Sequence, residues 1–223
     1  MKYLSIDIET TGLNRDFCDM IEFGAILEDT ENEIQSYEDI PKFHRYLKPP
    51  RPEGYQGELY AINMHAQSGV WAELNRIDML QRKGDKEGGL MGQDSEDIKK
   101  LIHPRHLLNE FARFLVDNGY ENKERNESRP PIVDLGRVTI AGKNFFAFDW
   151  NFIQPLFGDR VCRRSIDPAI WYLNPAEDAA PPGTPECLRR AGLTATGEHT
   201  ALGDAWDVIR LIRRAIKSGA RVR

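Results

Sequence analysis

Asp7 and Glu9 stand two residues apart in Lys2 to Leu13, KYLSIDIETTGL, a run that is otherwise largely apolar. Tyr3, Leu4, Ile6 and Ile8 predict a buried strand, and side chains on a strand alternate faces, so the two carboxylates point the same way. Like charges side by side on a half-buried surface repel each other and lose hydration. They need a proton or a cation, and a divalent metal ion is the usual solution. Thr10, Thr11 and Gly12 end the strand with hydroxyls, backbone donors and a flexible turn, which suits close approach by a ligand.

Two further acids share this character. Asp149 lies inside the aromatic run FFAFDWNF, and Asp204 falls on the apolar stripe of Val208, Leu211, Ile212 and Ala215 in a final helix. Asp and Glu are rarely buried unless paired, and no single lysine or arginine accompanies each of the four on its own face. A shared divalent ion accounts for all four at once. Carboxylate oxygens without soft ligands favour magnesium or manganese over zinc. Two such ions form a clamp for in-line phosphoryl transfer, one activating water and the other stabilising the leaving oxygen. His199, five residues before Asp204 in the turn entering the helix, has an ordinary pKa of about 6.5 and suits a general base near neutrality.

The elements that must position these residues predict an α/β fold. Met20 to Leu27 (MIEFGAIL) and Phe43 to Leu47 (FHRYL) follow the first strand across short turns, as in an antiparallel meander. Val70, Trp71, Leu74, Ile77 and Leu80 continue a helical pattern begun at Leu59, and Leu101 to Val116 carries a stripe of Leu107, Leu108, Phe111, Phe114 and Leu115. Between them Lys83 to Lys100 (KGDKEGGLMGQDSEDIKK) is charged and rich in glycine, and reads as a mobile surface insertion. Arg137 to Ala141 is a fourth strand, Phe145 to Phe157 a helix limited by Pro155, and Ser165 begins a fifth strand. Thr184-Pro185-Glu186 reads as an N-cap, a first-turn proline and a first-turn acid of a short helix ending at Gly192. Glu198 to Lys217 is the last helix with its preceding turn. This order is that of a mixed sheet flanked by helices.

Composition narrows the function. The 223 residues fit one domain, 1–223, and 40% hydrophobic content supports a core. A formal charge of -5 argues against a general polyanion binder, so any nucleic-acid contact is local or metal-mediated. Cys18, Cys162 and Cys187 are widely spaced, which favours neither a disulfide framework nor a zinc ribbon and points to a reducing cytoplasm. The chain enters a strand almost at once and has no apolar run of membrane-spanning length, so a soluble protein without a leader is expected.

At the level of motifs, SIDIETTGL resembles the first motif of the DnaQ-like, or DEDD, 3′-5′ exonucleases. KNFFAFDWNFI resembles the second, and HTALGDAWDVIRLI the third in its histidine form, DEDDh. The resemblance implies a ribonuclease-H-like mixed five-stranded sheet flanked by helices, and an enzyme that releases nucleoside monophosphates from 3′ ends. It implies two Mg2+ ions, with Mn2+ able to substitute. Asp7 would bridge both, Glu9 and Asp204 would complete the coordination of the first ion, and Asp149 would hold the second ion through water. His199 would take the proton from the attacking water. Thr10, Thr11, Gly12 and Leu13 match the segment that holds the 3′-terminal nucleotide, and Asn144 matches the polar residue of the second motif. Asn63 to Val70 (NMHAQSGV) is similar to a segment of oligoribonucleases, although ETTGL here departs from their EMTGL. Single-stranded DNA or RNA ends are the implied substrates, with a polymerase or a second copy of the chain as conceivable protein partners. The alternatives are a non-catalytic module of the same fold that binds a nucleic-acid end or a polymerase, and an oligoribonuclease-like enzyme acting on very short RNA.

Other residues have plainer readings. His44, His65, His103 and His106 are expected to be surface or hydrogen-bonding histidines, Asp167 a strand-end turn carboxylate and Asp207 a solvated acid off the face of Asp204. Phe145, Phe146, Phe148, Trp150 and Phe152 read mostly as core. Arg210, Arg213, Arg214, Lys217, Arg221 and Arg223 suit either a phosphate backbone or the dipole of their helix. Lys143 and the Arg163-Arg164 pair are open in the same way.

Overall fold

In the computed structural model the apolar N-terminal run forms β1 (Lys2–Thr10) and lies inside a sheet, with a strand on either side. The structure describes residues 1–32, 35–87, 93–124, 126–158, 165–196 and 199–219. The strands are β1, β2 (Met20–Asp29), β3 (Lys42–Leu47), β4 (Leu101–Ile102), β5 (Ile140–Ala141) and β6 (Ser165–Ile166). Their order across the sheet is β4-β3-β2-β1-β5-β6. Parallel pairing sets Leu4 beside Ile140 and Ser5 beside Ala141, and it also joins β5 to β6 and β3 to β4. A strand in the middle of such a sheet buries both faces, which is why β1 reads as a nearly continuous apolar run.

Among the described residues the sheet has six strands, where five were expected. The sixth, β4, is only two residues long and has no pattern of its own. It forms because β3 offers a free ladder: the Tyr46 N–H donates to the Lys100 carbonyl and the Lys48 N–H to the Ile102 carbonyl, both at 2.8 Å. Leu101 and Ile102 are thereby withdrawn from the predicted helix, which begins instead at Leu107 as α4 (Leu107–Asp117), after a 3-10 turn over Pro104–His106.

The helical pattern from Leu59 onward divides in two. Gly69, at φ +86°, ends α1 (Leu59–Ser68), and α2 (Val70–Glu87) starts immediately after it. The Trp71 indole N–H donates to the Ile62 carbonyl at 3.0 Å across this corner. Much of the expected insertion is helical: Lys83 to Glu87 extend α2, and Gln93–Ile98 form α3, while 88–92 lie outside the described residues. Buried Asp97 ties α3 down through Arg76 at 2.6 Å and Lys100 at 2.9 Å.

Toward the C-terminus, Phe145 to Phe148 form a turn, and α5 spans Asp149–Phe157. A 3-10 turn at Pro168–Trp171 follows β6. In α6 (Thr184–Ala191) the N-cap is Gly183, not Thr184, and Gly192 closes the helix at φ +68°. Thr200 caps α7 (Ala201–Lys217).

Residue contacts form two compact units. One comprises Met1–Asp7, Gly24–Lys42 and Asp134–Arg223, and its core sets Tyr3, Ile26, Ile40 and Ala141 against Ala205, Val208, Ile209 and Ile212 of α7. Cys187, Leu188 and Ala191 of α6 pack with Leu211. The other comprises Ile8–Phe23 and Phe43–Val133, where Ile21, Tyr46 and Leu101 meet Val70, Leu74 and Ile77 of α2. Phe23 stands edge-on to Phe43 and Phe111 at 5.9 and 5.4 Å between ring centres. Each large side chain buried in this way contributes about 1.5–3 kcal/mol by transfer from water. Among the described residues no helix is long and apolar enough to cross a membrane.

Candidate active site

Alternation along β1 sets Asp7 and Glu9 on one face, and α7 delivers Asp204 to it. Each of the three offers a carboxylate oxygen, and these oxygens lie within 4.8 Å of one another. The delivery of Asp204 depends on small residues. The Ser5 hydroxyl donates to the Ala205 carbonyl at 2.7 Å, and a Cβ added at Gly24 would stand 2.7 Å from the Ala201 backbone. The first turn of α7 therefore seats directly on β1 and β2. Thr200 Oγ1 accepts from the Gly203 N–H at 3.2 Å, and the Asp204 N–H donates to the Thr200 carbonyl at 2.9 Å. Asp204 thus sits in the first turn, where the helix dipole favours an anion.

Glu9 is buried, and Asp7 and Asp204 are half-buried. Two unit charges 4 Å apart repel by about 4 kcal/mol at an effective dielectric of about 20. Carboxylates at this spacing repel one another unless a cation offsets their charge, and a set of hard oxygens would suit a divalent ion such as Mg2+ or Mn2+. Asp149, the buried first residue of α5, stands outside the 4.8 Å group.

Asp7, His199 and Asp204 line one cleft of about 440 Å³, together with Lys143, Thr196 and Asp207. His199 is exposed. Lys143, read two ways from sequence, places its ammonium 3.9 Å from Asp167 Oδ2 on the cleft wall. Asn144 adopts a left-handed φ of 57°, and its backbone N–H donates to Asp167 Oδ2 at 2.9 Å. Asp167 also accepts from the Ala169 N–H at 2.9 Å, the turn-capping role expected of it.

Asp207 corrects the sequence reading: it is 2% exposed rather than solvated. Its carboxylate accepts from the Thr196 N–H at 3.3 Å, the Thr196 hydroxyl at 3.4 Å and Arg210 at 2.7 Å. The stretch Thr194 to Thr196 binds to this side of α7, and helix periodicity carries no information about such a distant cover. The available signal was the three-residue spacing of Asp207 and Arg210, which suits an ion pair on a helix.

The turn after β1 uses its own hydroxyls. Thr10 Oγ1 donates to the Gly12 carbonyl at 2.8 Å. Thr11 Oγ1 donates to the Gln56 carbonyl and accepts from the Asp19 N–H, the latter at 2.7 Å. At Gly12, whose φ is +153°, a Cβ would lie 2.6 Å from Cys18 Sγ and 2.8 Å from the Glu58 side chain, so those side chains would have to shift. Leu13 follows at 76% exposure. His65, fully buried, is the hydrogen-bonding histidine expected: Nε2 lies 2.8 Å from the Thr10 carbonyl, which can only accept, so Nε2 carries the proton. The same nitrogen is 3.6 Å from Glu9 Oε2, so His65 braces a carboxylate of the site from within the protein.

No protein-family model matches the chain, and no curated protein matches it in sequence. Solved structures do match. Cell-death related nuclease 4 (CRN-4) superposes with a TM-score of 0.62 at 15% identity, over 98% of this chain and 64% of CRN-4. E. coli exonuclease I in complex with a dT13 oligonucleotide gives 0.54 at 16% identity, over 97% of this chain and 41% of that one. S. pombe Pop2p, in a Mg2+ and Mn2+ bound form, gives 0.54 at 15% identity, over 97% and 82%. This chain thus spans less than two thirds of CRN-4 and of exonuclease I. At such identities the shared property is the architecture alone, and the chain has a ribonuclease-H-like α/β fold.

Proposed function

We propose that the chain is a metal-dependent 3′-5′ exonuclease of the DEDDh type, acting as one domain over residues 1–223 and releasing nucleoside monophosphates from single-stranded DNA or RNA. The observation that carries this reading is the grouping of Asp7, Glu9 and Asp204 within 4.8 Å, with His199 in the cleft that Asp7 and Asp204 line. Support also comes from neighbours of the same fold, one solved with a single-stranded oligonucleotide and another with Mg2+ and Mn2+.

Asp7, Glu9 and Asp204 would hold the ions, with Asp149 completing the set through water. Bound there, divalent ions lower the pKa of water and offset the charge that builds on the phosphoryl oxygens. His199 accepts the proton of the attacking water, whose oxygen bonds to phosphorus as the bond from phosphorus to the neighbouring 3′ oxygen breaks. That oxygen then takes a proton, leaving a 3′-hydroxyl on the shortened strand and a 5′-monophosphate in the cleft. Lys143 offers its ammonium to a phosphate oxygen. The turn Thr10 to Leu13 receives the terminal nucleotide through its backbone and the exposed Leu13 side chain, with Asn144 as a further polar contact.

The test is digestion of 5′-labelled single strands of DNA and RNA, with free or blocked 3′ ends, from dimers to about twenty nucleotides. A ladder is expected with Mg2+, on unblocked ends only, and none with chelator. Cleavage that ignores the 3′ block or persists in chelator defeats the reading. The preferred sugar and length then separate a general exonuclease from an oligoribonuclease-like enzyme.

A further inference from the structure

Asp207 is a buried carboxylate that the proposed chemistry does not use, and its bonds run to Thr196 in the segment before His199 and to Arg210 of its own helix. It accepts from both the N–H and the hydroxyl of Thr196, and it pairs with Arg210 at 2.7 Å. Arg210 in turn donates to the Thr194 carbonyl at 2.8 Å. A carboxylate and a guanidinium one helical turn apart on α7 thus hold two residues of the preceding segment. Three residues beyond Thr196 comes His199, and Thr200 then anchors the far end by capping the same helix. His199 itself is exposed and lines the cleft with Asp7 and Asp204. Thr196 and Thr200, the described residues that flank 197–199, are therefore both tied to α7.

We infer that Asp207, with Arg210, is a positioning residue that sets His199 against the carboxylates of the site. An exposed side chain on a short span keeps a catalytic geometry only if its backbone is fixed, and a displacement of about 1 Å can cost on the order of 10²-fold in rate. Asp207 does the fixing from a buried position, with the exposed Thr196 on one side of its carboxylate and the partly buried Arg210 on the other. The inference rests on the exonuclease reading for its kinetic consequence, but not for its structural one.

Two measurements on the full chain test it. In nuclease assays Asp207→Ala should lower kcat by roughly 10- to 10²-fold with KM little changed. The same substitution in a His199→Ala background should add no further loss, because the residue it positions is already gone. A general loss of folded enzyme would instead reduce both backgrounds alike, and that additive result overturns the inference. Hydrogen exchange needs no turnover: amides of Thr194 to Thr196 should exchange faster in Asp207→Ala while β1 is unaffected. Unaltered exchange there overturns the inference even if the chain proves to cleave nothing, whereas faster exchange without any nuclease activity defeats the exonuclease reading and leaves the tie standing. Asp207→Asn, which keeps an acceptor for Thr196, and Arg210→Met, which frees only Thr194, should give smaller changes in the same direction and serve if the alanine variant does not fold.

Discussion

β1 and the described residues around His199, Thr194 to Thr196 and Thr200, lie about the same cleft, and they are held there by different means. β1 is bound by main-chain hydrogen bonds as an inner strand of the sheet, so Asp7 and Glu9 take their direction from the strand itself. The described ties of Thr194 to Thr196 run to side chains of α7, and Thr200 caps that helix with its own side chain. A backbone ladder survives the loss of any one side chain, whereas a tie made by one carboxylate does not. The carboxylates on β1 are therefore held by topology, and the described residues that flank His199 are held by side chains of particular sequence positions.

The largest test of this contrast is Asp7→Ala. Activity should be abolished in nuclease assays while the circular dichroism spectrum and melting temperature stay close to those of the parent, since the ladder of β1 does not need that side chain. Retained activity would break the two-metal reading, and a collapsed fold would break the claim that β1 is held by its backbone. His199→Ala comes next: the rate should fall by roughly 10²–10⁴-fold, the range of general-base catalysis, with metal affinity by calorimetry unchanged. Loss of metal affinity would show that the two halves are not separable in this way.

Gly24→Ala probes the seat of α7. Its new Cβ would meet the Ala201 backbone at 2.7 Å, so α7 must shift or β2 must bend. Such overpacking costs typically about 1–3 kcal/mol, and the displaced Asp204 should weaken metal binding as well. Urea unfolding and calorimetry read both effects, and an unchanged midpoint would mean that the close approach is not tight. The smallest effect belongs to Asp7→Asn in metal-free protein. Removing one of three clustered charges should raise stability by about 1 kcal/mol, a usual trade between function and stability. Destabilisation in urea would indicate that the carboxylate of Asp7 stabilises the fold in the absence of metal.

The grouping of the carboxylates was legible where it followed local periodicity. Asp7 and Glu9 share a face because a strand alternates, and Asp204 shares the stripe of Val208 because one turn of helix separates them. Gly192 ends α6 because its left-handed φ is the one that closes a helix there. The short strand β4 was not legible, since Leu101 and Ile102 become a strand only by pairing with Tyr46 and Leu47. The break at Gly69 was missed because the apolar spacing runs across it.

Residue type and spacing alone determined the acidic pattern, the candidate base at His199 and the α/β order, because each depends on neighbours a few positions away. Only the tertiary structure decided that Asp149 is not among the three carboxylates grouped within 4.8 Å, that the Thr11 hydroxyl bonds Gln56 and Asp19, and that Asp207 is buried. Those outcomes depend on which distant segment covers a side chain, and burial by a distant segment leaves no trace in the local period of a sequence.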